Sequence, residues 1–175
     1  MSDEFHPLTD APARKSLGQH FLFDPSILKR AANAAGSPKD RTVIEVGPGP
    51  GGLTRAILNE NPARLIVVET DTRFSEALLE WPEAKSGQMV VIAKDARKVR
   101  WGKALEDAGA TGPAMIIANL PYNVGTPLLV DWLKAGDWRG EMALMFQKEV
   151  SERICAKHDT DAYGCLLYTS PSPRD

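Results

Sequence analysis

Asn119-Leu120-Pro121-Tyr122 brings together residue types suited to holding an exocyclic amine on a flat base. The asparagine side-chain oxygen accepts one hydrogen bond from such an amine. Pro121 offers a carbonyl without a competing N–H, and it biases Leu120 towards an extended shape that turns the Leu120 carbonyl outward. Tyr122 supplies a ring face on which an extruded base can stack. Asparagine and proline are also ordinary turn residues, so the stretch alone reads equally as a strand-to-loop turn. Its position adds weight, because it follows Ala114-Met115-Ile116-Ile117-Ala118, a buried-strand pattern. The carboxyl end of such a strand is where open α/β sheets place ligands and chemistry.

A second constellation runs from Glu45 through Val46-Gly47-Pro48-Gly49-Pro50-Gly51-Gly52 to Leu53-Thr54. It reads as a strand, a glycine loop and a helix, with glycines permitting a tight turn and close approach of backbone to ligand. Glu69 ends the next strand, 22 residues beyond Gly47 (69 − 47), a separation suited to an acid that binds both hydroxyls of a ribose. Alone, Glu69 reads as a solvated charge and Asp95 as a strand-end cap. With the glycine loop they describe a nucleoside site. Nicotinamide dinucleotide and S-adenosylmethionine enzymes share this arrangement. Two features favour the methyl donor. Pro48 and Pro50 stiffen a loop that would otherwise wrap a pyrophosphate with free N–H groups, and Asp95 is placed to accept the amine of an adenine.

A third segment, Arg14-Lys15-Ser16-Leu17-Gly18-Gln19-His20-Phe21-Leu22, reads as a basic, partly apolar flap whose cations can meet phosphate. His20 has no visible carboxylate partner, so it reads as a hydrogen-bonding or packing residue and not as a general base.

These sites need positioning elements, and the chain supplies them as an alternation of strand and helix. A helix is predicted from the Asp24 cap and Pro25 to about Ala35, with Gly36 as its stop. Strands are predicted at 42–46, 64–69, 89–93, 114–118 and 142–146, with helices after the first, second, fourth and fifth. The helix after the fourth strand is expected to start at Thr126-Pro127 and run to Ala135. The pattern indicates a doubly wound, mainly parallel α/β sheet. Residues 1–23 read as an amino-terminal tail and flap, and 24–164 as the α/β domain. Residues 165–175 break the alternation and resemble a translated sequencing adapter, so a truncated gene product is expected.

Composition sets limits on partners. The 175 residues are 43% hydrophobic, enough for one packed domain, and the net charge of −2 is not that of a polycation. Local clusters at Lys94, Arg97, Lys98, Arg100 and Lys103, and at Lys148, Arg153 and Lys157, suit either RNA phosphate or a solvated face. Two cysteines, Cys155 and Cys165, fall short of a disulfide framework or a metal ligand set. No apolar run approaches the ~20 residues of a membrane span, and a reducing, cytoplasmic setting is expected.

Taken in order, Lys15–Leu22, Glu45–Thr54, Asn119–Tyr122, Phe146-Gln147-Lys148-Glu149-Val150 with Arg153, and Ala162-Tyr163-Gly164 resemble the ribosomal RNA adenine dimethyltransferases, most closely their bacterial small-subunit branch. The likeness covers about residues 12–164. It implies a Rossmann-like class I S-adenosylmethionine methyltransferase fold, and it places cofactor contacts on His20, Leu22, Gly47, Glu69, Asp95 and Asn119. Lys94-Asp95 stands where the family more often has Gly-Asp. The resemblance further implies N6,N6-dimethylation of two adjacent adenines in the 3′-terminal hairpin of small-subunit rRNA, on the precursor 30S subunit, by an enzyme that is monomeric when full length. Asn119, Leu120, Pro121 and Tyr122 would be the catalytic residues, orienting the N6 lone pair and holding the adenine without an acid or base. The family's sheet has seven strands and is followed by a helical domain. This chain is expected to stop after about five strands, which leaves an edge and an apolar face uncovered. A large-subunit enzyme of the macrolide-resistance type, an assembly factor without catalysis and, at the level of fold alone, a dehydrogenase are the competing readings.

Overall fold

The structure, a computed structural model, describes residues 24–110, 112–120 and 122–156. Five strands form one sheet in the order β3-β2-β1-β4-β5. They are β1 (Thr42–Val46), β2 (Arg64–Glu69), β3 (Met89–Ala93), β4 (Ala114–Asn119) and β5 (Arg139–Met145). Every pairing is parallel. Runs such as Thr42-Val43-Ile44-Glu45-Val46 are buried at every position, as expected for strands covered by helices on both faces.

Alternation along the strands divides the core. One face carries Ile44, Val46, Ile66, Val68, Ile116 and Ala118, packed with Leu105, Leu128 and Trp132. The other carries Val43, Leu65, Val67, Met115 and Ile117, packed with Leu28, Ala32, Leu53, Ile57 and Leu78. The covering helices are α1 (Pro25–Ala32), α2 (Gly52–Leu58), α3 (Thr72–Leu79), the short α4 (Pro82–Lys85), α5 (Trp101–Asp107), α6 (Tyr122–Leu133) and α7 (Lys148–Ile154). The Asp24 side chain caps α1 through the Ser26 and Ile27 amides, with Pro25 at the first position. No helix among the described residues is long and apolar enough to cross a membrane.

Three expectations are corrected. Helix α6 begins at Tyr122, not at Thr126-Pro127, and Pro127 lies inside it. The proline forfeits only the bond to the Asn123 carbonyl just beyond the first turn, and burial of Leu128 and Trp132 outweighs that loss. Strand β5 starts at Arg139, three residues earlier than 142 (142 − 139), because it pairs from Ala114 onward across an irregularity in register. Helix α5 was not anticipated, since its seven residues hold a single fully buried apolar side chain, Leu105.

Helix α6 can approach the end of β5 because residue 125 is glycine. A Cβ on Gly125 would lie 2.7 Å from Phe146 Cε1 and 3.2 Å from Leu120 Cβ. Gly125→Ala should therefore lower stability by about 1–3 kcal/mol through overpacking. Adding Phe146→Leu should recover most of the loss. Thermal denaturation of the single and double variants checks this, and additive losses would contradict the contact.

Candidate active site

The site grows from the register of β1 with its neighbours. Val46 pairs with Val68 on β2 and with Ala118 on β4, so the next residues along, Gly47, Glu69 and Asn119, stand in one row at the carboxyl edge of the sheet. Glu69 in turn pairs with Ala93 on β3, two residues before Asp95. Strand spacing of about 4.8 Å puts the backbones of Asn119 and Glu69 roughly 10 Å apart. The chain leaves β1 for β2 and β3 on one side and returns to β4 on the other, so this row straddles the point where strand order reverses.

The glycine loop is tied to the sheet at several points. The Gly47 N–H donates to the Val68 carbonyl at 2.9 Å, and the Gly51 N–H to the Pro48 carbonyl at 3.0 Å. Gly49, at φ +53, directs its N–H to Glu69 Oε2 at 3.0 Å. The other oxygen of Glu69 accepts from the Asp71 N–H at 2.8 Å, where Asp71 itself caps α3. Glu69 is buried, and that burial raises its pKa against the opposing pull of the backbone donors. It is a shaped, fixed acceptor, not the solvated charge that it resembles in isolation. Each oxygen keeps a second lone-pair direction for a ligand hydroxyl.

Asp95 caps the 3₁₀ turn Ala96–Lys98 through the Arg97 N–H at 2.9 Å. The Arg97 guanidinium also grips it, with Nη2 2.6 Å from Oδ2 and Nε 3.1 Å from Oδ1. This bond to Arg97 holds the Asp95 carboxyl below the usual range, so it is an ionised acceptor at neutral pH. The strand-end cap and the acceptor role coexist in one side chain, and Arg97 is a partner that the sequence did not announce.

Asn119 is the last residue of β4 and is half-buried. Leu120 is buried, and its N–H donates to the Met145 carbonyl at 3.2 Å. Tyr122 opens α6, but its side chain lies outside the described set. Pro121, His20, Leu22, the remainder of the flap, Lys157 and Ala162-Tyr163-Gly164 also lie outside the described residues.

Sequence reasoning placed Glu45 in the glycine motif without giving it a role. Its carboxyl is buried in β1, and burial pushes its pKa up to about 8. The Thr54 hydroxyl offsets part of that rise and Glu69 adds to it. The hydroxyl is near enough to ease the burial, but no well-aligned hydrogen bond joins it to either carboxylate oxygen. An acid interrupting a fully apolar strand was the signal available in the sequence. Because Glu45 ionises near 4.5 when unfolded and near 8 when folded, its effect makes stability fall as pH rises through that window and level off above it. Glu45→Gln should flatten this slope and stabilise the chain at pH 8 by at least about 1 kcal/mol. Parallel melting curves for both proteins between pH 5 and about 9 would refute the assignment.

Comparison with known proteins supplies the family. The model for ribosomal RNA adenine dimethylases matches residues 11–167. Ribosomal RNA small subunit methyltransferase A of Rhizobium johnstonii is 50% identical over 157 residues, 88% of this chain and 56% of the relative. The protein of the same name from Caulobacter vibrioides is 50% identical over 155 residues, 88% of this chain and 57% of its own. The chain thus spans about half the length of the relatives it matches. Among solved structures, a dimethyladenosine transferase from Plasmodium falciparum superposes with a TM-score of 0.66 at 26% identity, over 82% of this chain and 49% of that one. The 23S rRNA methyltransferase ErmE shares the fold, with a TM-score of 0.62 at 24% identity over 77% of this chain and 50% of its own. With the matched span running through the glycine loop, Glu69, Asp95 and Asn119, this chain belongs to the ribosomal RNA adenine dimethylase family.

Proposed function

We propose that this chain carries the catalytic core of an S-adenosylmethionine-dependent enzyme that dimethylates N6 of two adjacent adenines in the 3′-terminal hairpin of small-subunit rRNA. The observation that carries the reading is the single row of Gly47, Glu69 and Asn119 at the sheet's reversal point, with Asp95 two residues beyond the pairing of Ala93 with Glu69. The residues fit a nucleoside cofactor. Glu69 is a buried carboxylate with oxygens already oriented by Gly49 and Asp71, suited to a ribose diol. Asp95 is an ionised acceptor suited to an adenine amine, and Gly47 leaves the backbone bare beside them.

When bound, S-adenosylmethionine supplies an electrophilic methyl group on a sulfonium. The protein's part is to present the acceptor. Adenine N6 is a weak nucleophile because its lone pair is delocalised into the ring. Hydrogen bonds from the N6 protons to the Asn119 side-chain oxygen and the Leu120 or Pro121 carbonyl favour a pyramidal nitrogen. Positioning of this kind supplies several kcal/mol without an acid or base. The Leu120 N–H bond to Met145 supports it by pinning the loop to β5. Tyr122 is assigned the stacking of the extruded base, worth about 1–3 kcal/mol. His20 and Leu22 complete the proposed cofactor contacts, and the rRNA of the precursor 30S subunit is the proposed partner.

Asn119→Ala should reduce methyl transfer at least about a hundredfold while leaving RNA affinity within about threefold. Glu69→Ala should instead weaken S-adenosylmethionine binding. Transfer of labelled methyl to isolated small and large ribosomal subunits, with filter binding of the RNA, reads both. A near-normal rate for Asn119→Ala would remove the amine-orienting role, and labelling confined to large subunits would redirect the substrate assignment.

A further inference from the structure

The glycine loop meets an aromatic ring that the reaction as described does not use. A Cβ built on Gly51, which sits at φ +88, would lie 2.7 Å from Trp81 Cη2 and 2.8 Å from Cζ2, with Leu78 Cδ2 at 3.4 Å. The benzo edge of the indole is therefore in contact with the backbone of the loop. The ring is itself gripped. Arg55, one turn into α2 and bonded through its N–H to the Gly51 carbonyl at 2.9 Å, lays its guanidinium 4.3 Å from the Trp81 ring centroid. The same guanidinium pairs with Glu83 in α4. Trp81 is the N-cap residue immediately before α4. A latch thus runs from the start of α2, across the indole, to the start of α4, and its middle member abuts Gly51.

We propose that Trp81 is a positioning residue for the cofactor loop, its indole edge seated on Gly51 and held there by Arg55 and Glu83 so that the Gly47–Gly51 turn keeps its binding shape. This rests on the reading that the loop receives S-adenosylmethionine. The physical need comes from Gly47, Gly49 and Gly51, whose conformational freedom Pro48 and Pro50 restrict only in part. A ligand that binds only the ordered turn has its affinity reduced by the fraction of time the turn is so shaped. Filling the space beside Gly51 with a rigid ring, itself clamped, raises that fraction before the ligand arrives. A glycine is needed at 51 for the same reason, since no side chain fits between the turn and the ring.

The test uses the 175-residue chain and two readouts. Calorimetric titration with S-adenosylmethionine should show about tenfold weaker binding for Trp81→Leu, and a smaller loss in the same direction for Arg55→Met, which keeps the stem but removes the cation and its pair. Amide exchange without ligand should quicken by a similar factor at Gly47, Gly49 and Gly51, whose N–H groups are all bonded, while the β4 amides stay protected. A role limited to packing would instead loosen loop and strand together. Affinity and loop exchange within twofold of the unsubstituted chain in both variants would overturn the proposal, as would equal loosening of β4. If Trp81→Leu fails to fold, Arg55→Met reads the same coupling. If the unsubstituted chain binds no S-adenosylmethionine, the cofactor reading falls, and the exchange comparison still decides whether Trp81 holds the loop.

Discussion

The pairing of β1 with parallel neighbours on both sides is the constraint on which the candidate site depends. Because Val46 is matched to both Val68 and Ala118, the chain's three exits from the sheet at Gly47, Glu69 and Asn119 are level with one another. A slip of one residue on either side would turn Glu69 or Asn119 to the opposite face and break the row. That register is held by burial, since Ile44, Ile66 and Ile116 on one face and Val43, Leu65 and Met115 on the other are all fully buried. Apolar packing throughout the middle of the sheet therefore sets the distances at its rim.

Electrostatics at the rim follow from which carboxyls remain in contact with donors. Glu69 and Glu45 lie on adjacent strands and are both buried, yet they are treated differently. Glu69 receives two backbone N–H groups, whereas Glu45 receives none and stays protonated well into the neutral range. A neutral Glu45 spares Glu69 a like charge close by, which would otherwise disfavour its ionised form. Asp95, nearer solvent and paired with Arg97, is charged throughout. Glu45 and Asp95 thus reach neutral pH in different states through their surroundings alone.

Two glycines play the same part beyond the sheet's carboxyl edge, one after β1 and one after β4. Gly51 lets the Trp81 edge reach the glycine loop, and Gly125 lets α6 lie close to both the Phe146 ring and Leu120. In both places the missing Cβ permits a large ring to approach backbone that lies beyond a strand end. Loops at strand ends have few sheet bonds, so such contacts supply order that hydrogen bonding does not.

Much was legible in the residues. The bounds of β1, β2 and β3 follow from β-branched and apolar runs short enough to be strands and punctuated by Gly, Pro and Asp. The row of Gly47, Glu69 and Asn119 could be guessed because strand ends are marked by the glycine or polar residue that interrupts each run. Family membership, too, was written in the order and spacing of the motifs. The start of α6 was hidden, since Thr126-Pro127 reads as a helix start, whereas packing of Leu128 and Trp132 holds a helix that already begins at Tyr122. Helix α5 was hidden for want of a long apolar stripe. The sequence by itself determined the bounds of β1, β2 and β3 and the family, because those depend on local residue types. Only the tertiary structure decided that Glu45 keeps its proton and that Trp81 sits on Gly51. Burial and contacts between elements distant in the chain exist only once the sheet has brought them together.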